Sequence, residues 1–305
     1  MGNFFVYKGD GTTLAQRNLT LPSFEPITKI SAPGGYYASP ALRDAVNVAI
    51  ALGQPLLLTG EPGTGKTQLA FSLANELGVG SPYIFNTKTT SVAKDLFYRY
   101  DSLAHFRDVQ LKDKTQINIK EYISYEALGK AILDSGGKRV VVLIDEIDKA
   151  PRDLPNDVLN EFENMEFEVK ETGEKFVANK ANRPILILTS NSEKNLPDAF
   201  LRRCIYYHIP FPDKDTLMEI IRRRLMLSDA FINNMLLDAV NHFMQIRTAK
   251  GLRKPPATSE LLAWIHILDE NNIDVNANIP DEIRKLAMSY SVLAKNKEDL
   301  MKLSI

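Results

Sequence analysis

The octapeptide GEPGTGKT at residues 60–67 constrains this chain more than any other stretch. It follows PLLLTG, a short apolar run bounded by Pro55 and Gly60 that suits a strand buried on both faces, and it leads into a helical pattern from about 66 to 77. Glycines between a strand and a helix let backbone N–H groups turn inward around phosphate oxygens. Gly60, Gly65, Lys66 and Thr67 stand at the spacing of a phosphate-binding loop, with Lys66 aimed at terminal phosphates and the Thr67 hydroxyl available to magnesium. Glu61, Pro62, Gly63, Thr64 and Gln68 complete the stretch expected to line ATP.

The surrounding pattern has the same meaning. Ser39 followed by Pro40 reads as a cap and a first-turn proline, opening a helix that runs toward Gly53. Beyond the loop, strands YIFN (83–86), RVVVLI (139–144), PILILT (184–189) and CIYYHI (from 204) alternate with helices, one at 153–165 and a short one near 197–202. Buried strands alternating with helices predict an α/β fold, a five-stranded parallel sheet flanked by helices. MEFEVKETGEKFVA alternates apolar and polar on both sides of ETGE, the mark of a hairpin insertion near 166–180. Residues 1–37 read as an irregular lead-in, 38–211 as the α/β domain, and 212–305 as a smaller all-α domain. Asp213, Ser228 and Thr258 are candidate caps there, and Pro280 a first-turn proline.

RVVVLI delivers Asp145 and Glu146 to the carboxyl end of its strand, where ligands bind in open parallel sheets. Asp145 suits magnesium and Glu146 suits the base that polarises an attacking water. Asp148 and Lys149 read as a surface pair. PILILT ends in Ser190 and Asn191, either turn residues or polar groups beside the terminal phosphate.

Several features fit a plain structural role. The single cysteine, Cys204, reads as a small apolar residue and fits a reducing compartment. Trp264 reads as core, Arg222 to Arg224 as a solvated helix surface, and the four histidines lack metal-ligand spacing. Phe97, Tyr98, Arg99 and Tyr100 either anchor an insertion to the core or grip a substrate, and the hairpin is either a moving element or a shield for a sheet edge. With 37 basic and 38 acidic residues there is no global field to attract nucleic acid or an anionic membrane. The longest apolar runs are far too short for a membrane span or signal core, so the expectation is a cytoplasmic protein.

Together the loop, the DE pair, the polar residue after the next strand, the proline-led short helix ending in arginine and the helical C-terminal part resemble an AAA+ ATPase. FNTKTTSVAKDLFYRYD, the hairpin and KPPATSELLAW are most similar to the MoxR branch. That resemblance implies ATP hydrolysis with magnesium, Asn191 as the first sensor, and Arg203, with Arg202 as its rival, as the arginine given to a neighbour's site. It further implies a ring, a hexamer, and a protein partner bearing a von Willebrand factor A domain. One departure stands out: Ala257 and Thr258 occupy the place of a second-sensor arginine, leaving Arg253 or Lys254 as substitutes. The competing readings are a nucleic-acid-directed AAA+ ATPase, disfavoured by the neutral charge, and a module without turnover, disfavoured by Glu146.

Overall fold

A computed structural model of the chain describes residues 7, 9–11, 33–111, 117–192, 196–248 and 251–303. Most of the expected lead-in lies outside the described residues. The chain divides into two compact units, one formed by residues 38–61 and 66–210, the other by residues 1–37, 62–65 and 211–305.

In the α/β unit, α1 (Pro40–Leu52) begins where Ser39 accepts a hydrogen bond from the Leu42 N–H, and it ends at Gly53 in the left-handed conformation. β1 (Leu56–Gly60) is buried along its whole length and is followed by α2 (Lys66–Glu76) and β2 (Tyr83–Asn86). An insertion comes next: β3 (Tyr98–Tyr100), α3 (Ser102–Leu111), β4 (Ile123–Tyr125) and α4 (Ala127–Asp134). β5 (Val141–Asp145) precedes α5 (Leu154–Asp157) and α6 (Leu159–Asn164). The single helix expected over 153–165 is thus interrupted at Val158, a weak helix former that is fully buried with φ −102° and ψ 4°. β6 (Glu166–Val169) and β7 (Glu174–Val177) form the antiparallel hairpin, and β8 (Ile185–Thr189), α7 (Asp198–Leu201) and β9 (Ile205–Ile209) complete the unit.

The main sheet has the order β2-β5-β8-β1-β9, and every neighbouring pair is parallel. Its carboxyl ends therefore emerge at one edge. β3 and β4 pair antiparallel to one side, with Tyr98 opposite Tyr125.

The aromatic run is core. Phe97 and Tyr98 retain 4% and 2% of their surface; Phe97 stacks on Phe167 at 5.2 Å, and Phe167 on Phe176 at the same distance. The Tyr98 hydroxyl accepts from the Lys170 N–H at 3.0 Å. The hairpin is anchored through its rings, which complete this cluster. Gly129 permits the fit: a Cβ there would lie 2.0 Å from the Phe97 carbonyl oxygen.

The second unit is helical: α8 (Lys214–Arg224), α9 (Asp229–Asn234), α10 (Leu236–Thr248), α11 (Thr258–Glu270), α12 (Pro280–Ser289) and α13 (Lys297–Leu303). Asp213 and Ser228 cap α8 and α9 through the N–H groups of Thr216 and Phe231. Thr258 does not cap α11. Ala257 holds that position, and Glu260 accepts from its N–H at 2.8 Å. Trp264 is fully buried, donating to Ser289 Oγ at 2.8 Å. Arg224 departs from the expected solvated run, with 7% of its surface exposed.

Replacing Phe97 with Ala should cost about 3–5 kcal/mol, the usual penalty for emptying a buried phenyl site. Denaturant unfolding of the variant checks this; an unchanged midpoint would return the ring to a surface role.

Candidate nucleotide-binding site

β5, β8 and β1 lie side by side, so the residues that follow them converge at the carboxyl edge of the sheet. Gly63 and Gly65 have φ of +77° and +91°, which lets the loop after β1 turn where side-chain-bearing residues would be strained. At its end the Lys66 ammonium donates to the carbonyls of Gly60 and Glu61 at 2.8 and 3.0 Å and to Asn191 Oδ1 at 3.1 Å. Lys66 is 8% exposed. Burial pushes its pKa below the ordinary lysine value, opposed by the negative charges of Asp145, Asp148 and Glu146.

Asp145 is shared. Its Oδ1 accepts from Thr67 Oγ1 at 3.0 Å and from the Thr189 hydroxyl. Thr189 in turn accepts from the Glu146 N–H at 2.9 Å, joining the ends of β5 and β8 through one buried hydroxyl. Glu146 has φ +55°, a left-handed conformation unusual for a residue with a side chain, and its carboxylate pairs with Lys149. Asp148 and Lys149 are therefore not a surface pair. Asp148 accepts from the Asn191 N–H at 3.4 Å, and its Oδ1 is buried without a hydrogen-bond partner. Thr189 escaped the sequence reading, where its only signal was a polar residue closing an otherwise aliphatic strand, and Asp148 was read there as half of a surface pair.

The oxygens of Thr67 and Asp145, already in contact with each other, form a hard donor pair of the kind magnesium takes alongside phosphate oxygens. Among the described residues no group of three or more His, Cys, Asp or Glu side chains is placed to hold a metal by itself.

Arg203 lies elsewhere. β9 pairs with β1 so that Ile205 stands opposite Leu56 and Ile209 opposite Gly60. At about 3.3 Å per residue, the start of β9 is roughly 13 Å from the strand ends where the loop begins, and Arg203 precedes it. Its Nε faces Glu163 at 3.4 Å, its Nη1 donates to the Ala199 carbonyl at 3.2 Å, and about half of its side chain is exposed. Arg202 is exposed beside it. Half-buried Cys204 has its thiol pushed up to about 12 by burial.

In the helical unit, residues 62–65 of the loop meet α11: a Cβ on Gly63 would lie 2.4 Å from Ser259 Oγ and 3.0 Å from the Ala257 Cβ. The two candidate substitutes for a second-sensor arginine are held by the C-terminal helix. Asp299 accepts from the N–H groups of Arg253 and Lys254 at 2.9 and 3.1 Å, and Arg253 pairs with Glu298 at 3.0 Å.

A glycine loop leaving the first strand of a parallel sheet, with a carboxylate pair at the end of β5, one strand removed across β8, defines a P-loop nucleoside triphosphatase fold. Residues 55–204 match the AAA domain of the dynein-related subfamily, which supports an AAA+ ATPase. A curated relative, RuvB-like 2 of Caenorhabditis elegans, is 29% identical over 103 residues, which is 30% of this chain and 23% of the relative. Two solved structures of Thermotoga maritima RuvB, one a single-site variant and one described as a Holliday junction branch migration motor, align with TM-scores of 0.43 and 0.42. Their identities are 15% and 16%, and each alignment covers 86% of this chain and 66% of the other. The chain thus spans about a quarter of the curated relative and just under two thirds of these structures.

Two outcomes follow. Thr189→Val strands the Glu146 N–H and should cost about 1–3 kcal/mol, measured by denaturant unfolding, with Thr189→Ser restoring most of it. Cys204 should resist alkylation: at pH 8 only about 1 thiol in 10⁴ is ionised at that pKa, so labelling should be far slower in the native protein than in urea.

Proposed function

We propose that this chain binds and hydrolyses ATP as a MoxR-type AAA+ protein, working in a ring and remodelling a protein partner. The observation that carries the ATPase reading is the convergence of Lys66, Thr67, Asp145, Glu146 and Asn191 at one edge of the sheet. Lys66 meets the terminal phosphates, and Asn191 and the loop's N–H groups orient them. Thr67 and Asp145 would hold magnesium, which neutralises phosphate charge when bound. Glu146 takes the proton of the attacking water as the oxygen–phosphorus bond to the terminal phosphoryl group gives way. Its carboxylate is tied to Lys149, so that pair must loosen for it to act as a base.

Phosphoryl transfer gains about 10³- to 10⁵-fold from an arginine on the transferring group. Arg203 stands at the amino edge of its own sheet, which supports a ring in which it serves the neighbouring chain. The partner class, a von Willebrand factor A domain protein, and the hexamer rest on the MoxR resemblance alone. The nucleic-acid-directed alternative draws on the names of the RuvB relatives and is opposed by the net charge of −1.

Lys66→Ala should lose tight ATP binding, while Glu146→Gln should keep it and lower hydrolysis by about 10²- to 10⁴-fold. Unchanged affinity in folded Lys66→Ala protein would refute the site. Arg203→Ala should bind ATP and hydrolyse it poorly; mixed with Glu146→Gln subunits it should regain part of the rate, because each chain supplies what the other lacks. No recovery despite verified co-assembly removes the shared-site arrangement, and the same mixture with Arg202→Ala tests the rival arginine. Stimulation of turnover by duplex DNA, and not by a von Willebrand factor A domain protein, would favour the alternative.

A further inference from the structure

Asp148 lies in the candidate site, and the proposed reaction leaves it unused. It sits in the 3₁₀ turn Ile147–Lys149 that follows Glu146. The turn is pinned: Ile147 keeps 1% of its surface, and the N–H groups of Lys149 and Ala150 donate to the carbonyls of Glu146 and Ile147 at 2.9 and 3.1 Å. One Asp148 oxygen, Oδ2, accepts from the Asn191 N–H at 3.4 Å; the other is buried with no hydrogen-bond partner among the described residues. The negative charge is also felt at Lys66. A buried carboxylate oxygen without a donor is a cost to folding, so stability does not explain this side chain.

Asp148 extends a ladder that the backbone has left. β5 and β8 pair as far as Ile144 and Leu188, and β8 ends at Thr189. The next N–H, that of fully buried Ser190, donates to the Leu58 carbonyl of β1 at 2.9 Å. Asn191 follows, exposed and outside the sheet, and its N–H meets the Asp148 carboxylate instead of a strand. Its side-chain Oδ1 accepts from the Lys66 ammonium at 3.1 Å. That ammonium has three donors, and the carbonyls of Gly60 and Glu61 take the other two. A phosphate oxygen can therefore reach Lys66 only as one of the three contacts is given up. The bond from Asn191 to Asp148 does not depend on that exchange.

We propose that Asp148 is a positioning residue for ATP hydrolysis, holding the Asn191 backbone so that the side-chain amide stays beside the terminal phosphate while Lys66 changes partners. The inference rests on the ATPase reading above and extends it to a residue outside both the loop motif and the carboxylate pair.

The test uses the full chain with Asp148→Ala, Asp148→Asn and Asn191→Ala, followed by ATP titration, steady-state hydrolysis and unfolding without ligand. Asp148→Ala should lower kcat at least about 10-fold, with ATP affinity within about 3-fold of wild type and an unfolding midpoint unchanged or raised. Asp148→Asn should restore most of kcat, since an amide oxygen can accept the same N–H. Added to Asn191→Ala, Asp148→Ala should cost less than about a further 2-fold, because a residue that acts through another has nothing left to position. Losses that multiply in the double variant would mean that Asp148 acts by itself, and an unchanged kcat in Asp148→Ala that it has no part in turnover; either overturns the proposal. Hydrogen exchange at the Asn191 amide, followed by NMR in protein isotope-labelled on asparagine, reads the contact without turnover. It should quicken in Asp148→Ala and not in Asp148→Asn, and equal exchange in both and in wild type overturns the proposal too. Should Asp148→Ala fold poorly, Asp148→Leu, which keeps the volume and removes the acceptor, replaces it with the same expectations. Wild-type protein that fails to bind or hydrolyse ATP would instead sink the ATPase reading, and this inference with it.

Discussion

A buried ammonium sets the terms for the carboxyl edge of the sheet. Lys66 is removed from water at the start of a helix, and its charge is tolerable only where oxygens converge on it. The carbonyls of Gly60 and Glu61 and the side chain of Asn191 supply them, and the last can do so only if β8 lies beside β1. The strand order that places β8 between β5 and β1 is therefore also what brings a sensor-like amide and a carboxylate pair to the same lysine. Phosphates are the anions such a lysine suits; burial lowers its pKa, and the negative charges of Asp145, Asp148 and Glu146 oppose that shift.

The same edge stores strain where chemistry needs it. Glu146 sits in a left-handed backbone conformation that costs a side-chain-bearing residue on the order of 1–3 kcal/mol, and it persists because Thr189 accepts its N–H. Thr189 also donates to Asp145, so one hydroxyl fixes the backbone of the proposed base and the side chain of the proposed metal ligand together.

Much of this was legible in the residues, because periodicity and glycine spacing are local signals. The five strands lie within two residues of the aliphatic runs that announced them, and Ser39, Asp213 and Ser228 cap where their types suggested. Long-range packing was not legible. Phe97 and Tyr98 looked equally fit for a grip on substrate and for a core, and only the approach of Phe167 from the hairpin, 70 residues later, decides for the core. Arg224 shared its spelling with two arginines at the surface, and it meets the ring of Tyr36, nearly 190 residues earlier. Asp148 and Lys149 follow one strand end, yet the 3₁₀ turn there sends one toward Asn191 and the other back to Glu146.

The two edges of the main sheet separate the residues of the candidate site from Arg203. Parallel pairing forces every loop that begins after a strand to one edge, and forces α7, which leads into β9, to the other. Arg203 cannot slide across that distance, because the paired length of β9 holds its backbone at the amino edge and an arginine side chain extends only about half as far as the strand is long. There it leans on Glu163 and on the carbonyl of Ala199, contacts that orient it without burying its charge. The arginine is thus kept half-exposed and oriented at the edge away from its own phosphate loop.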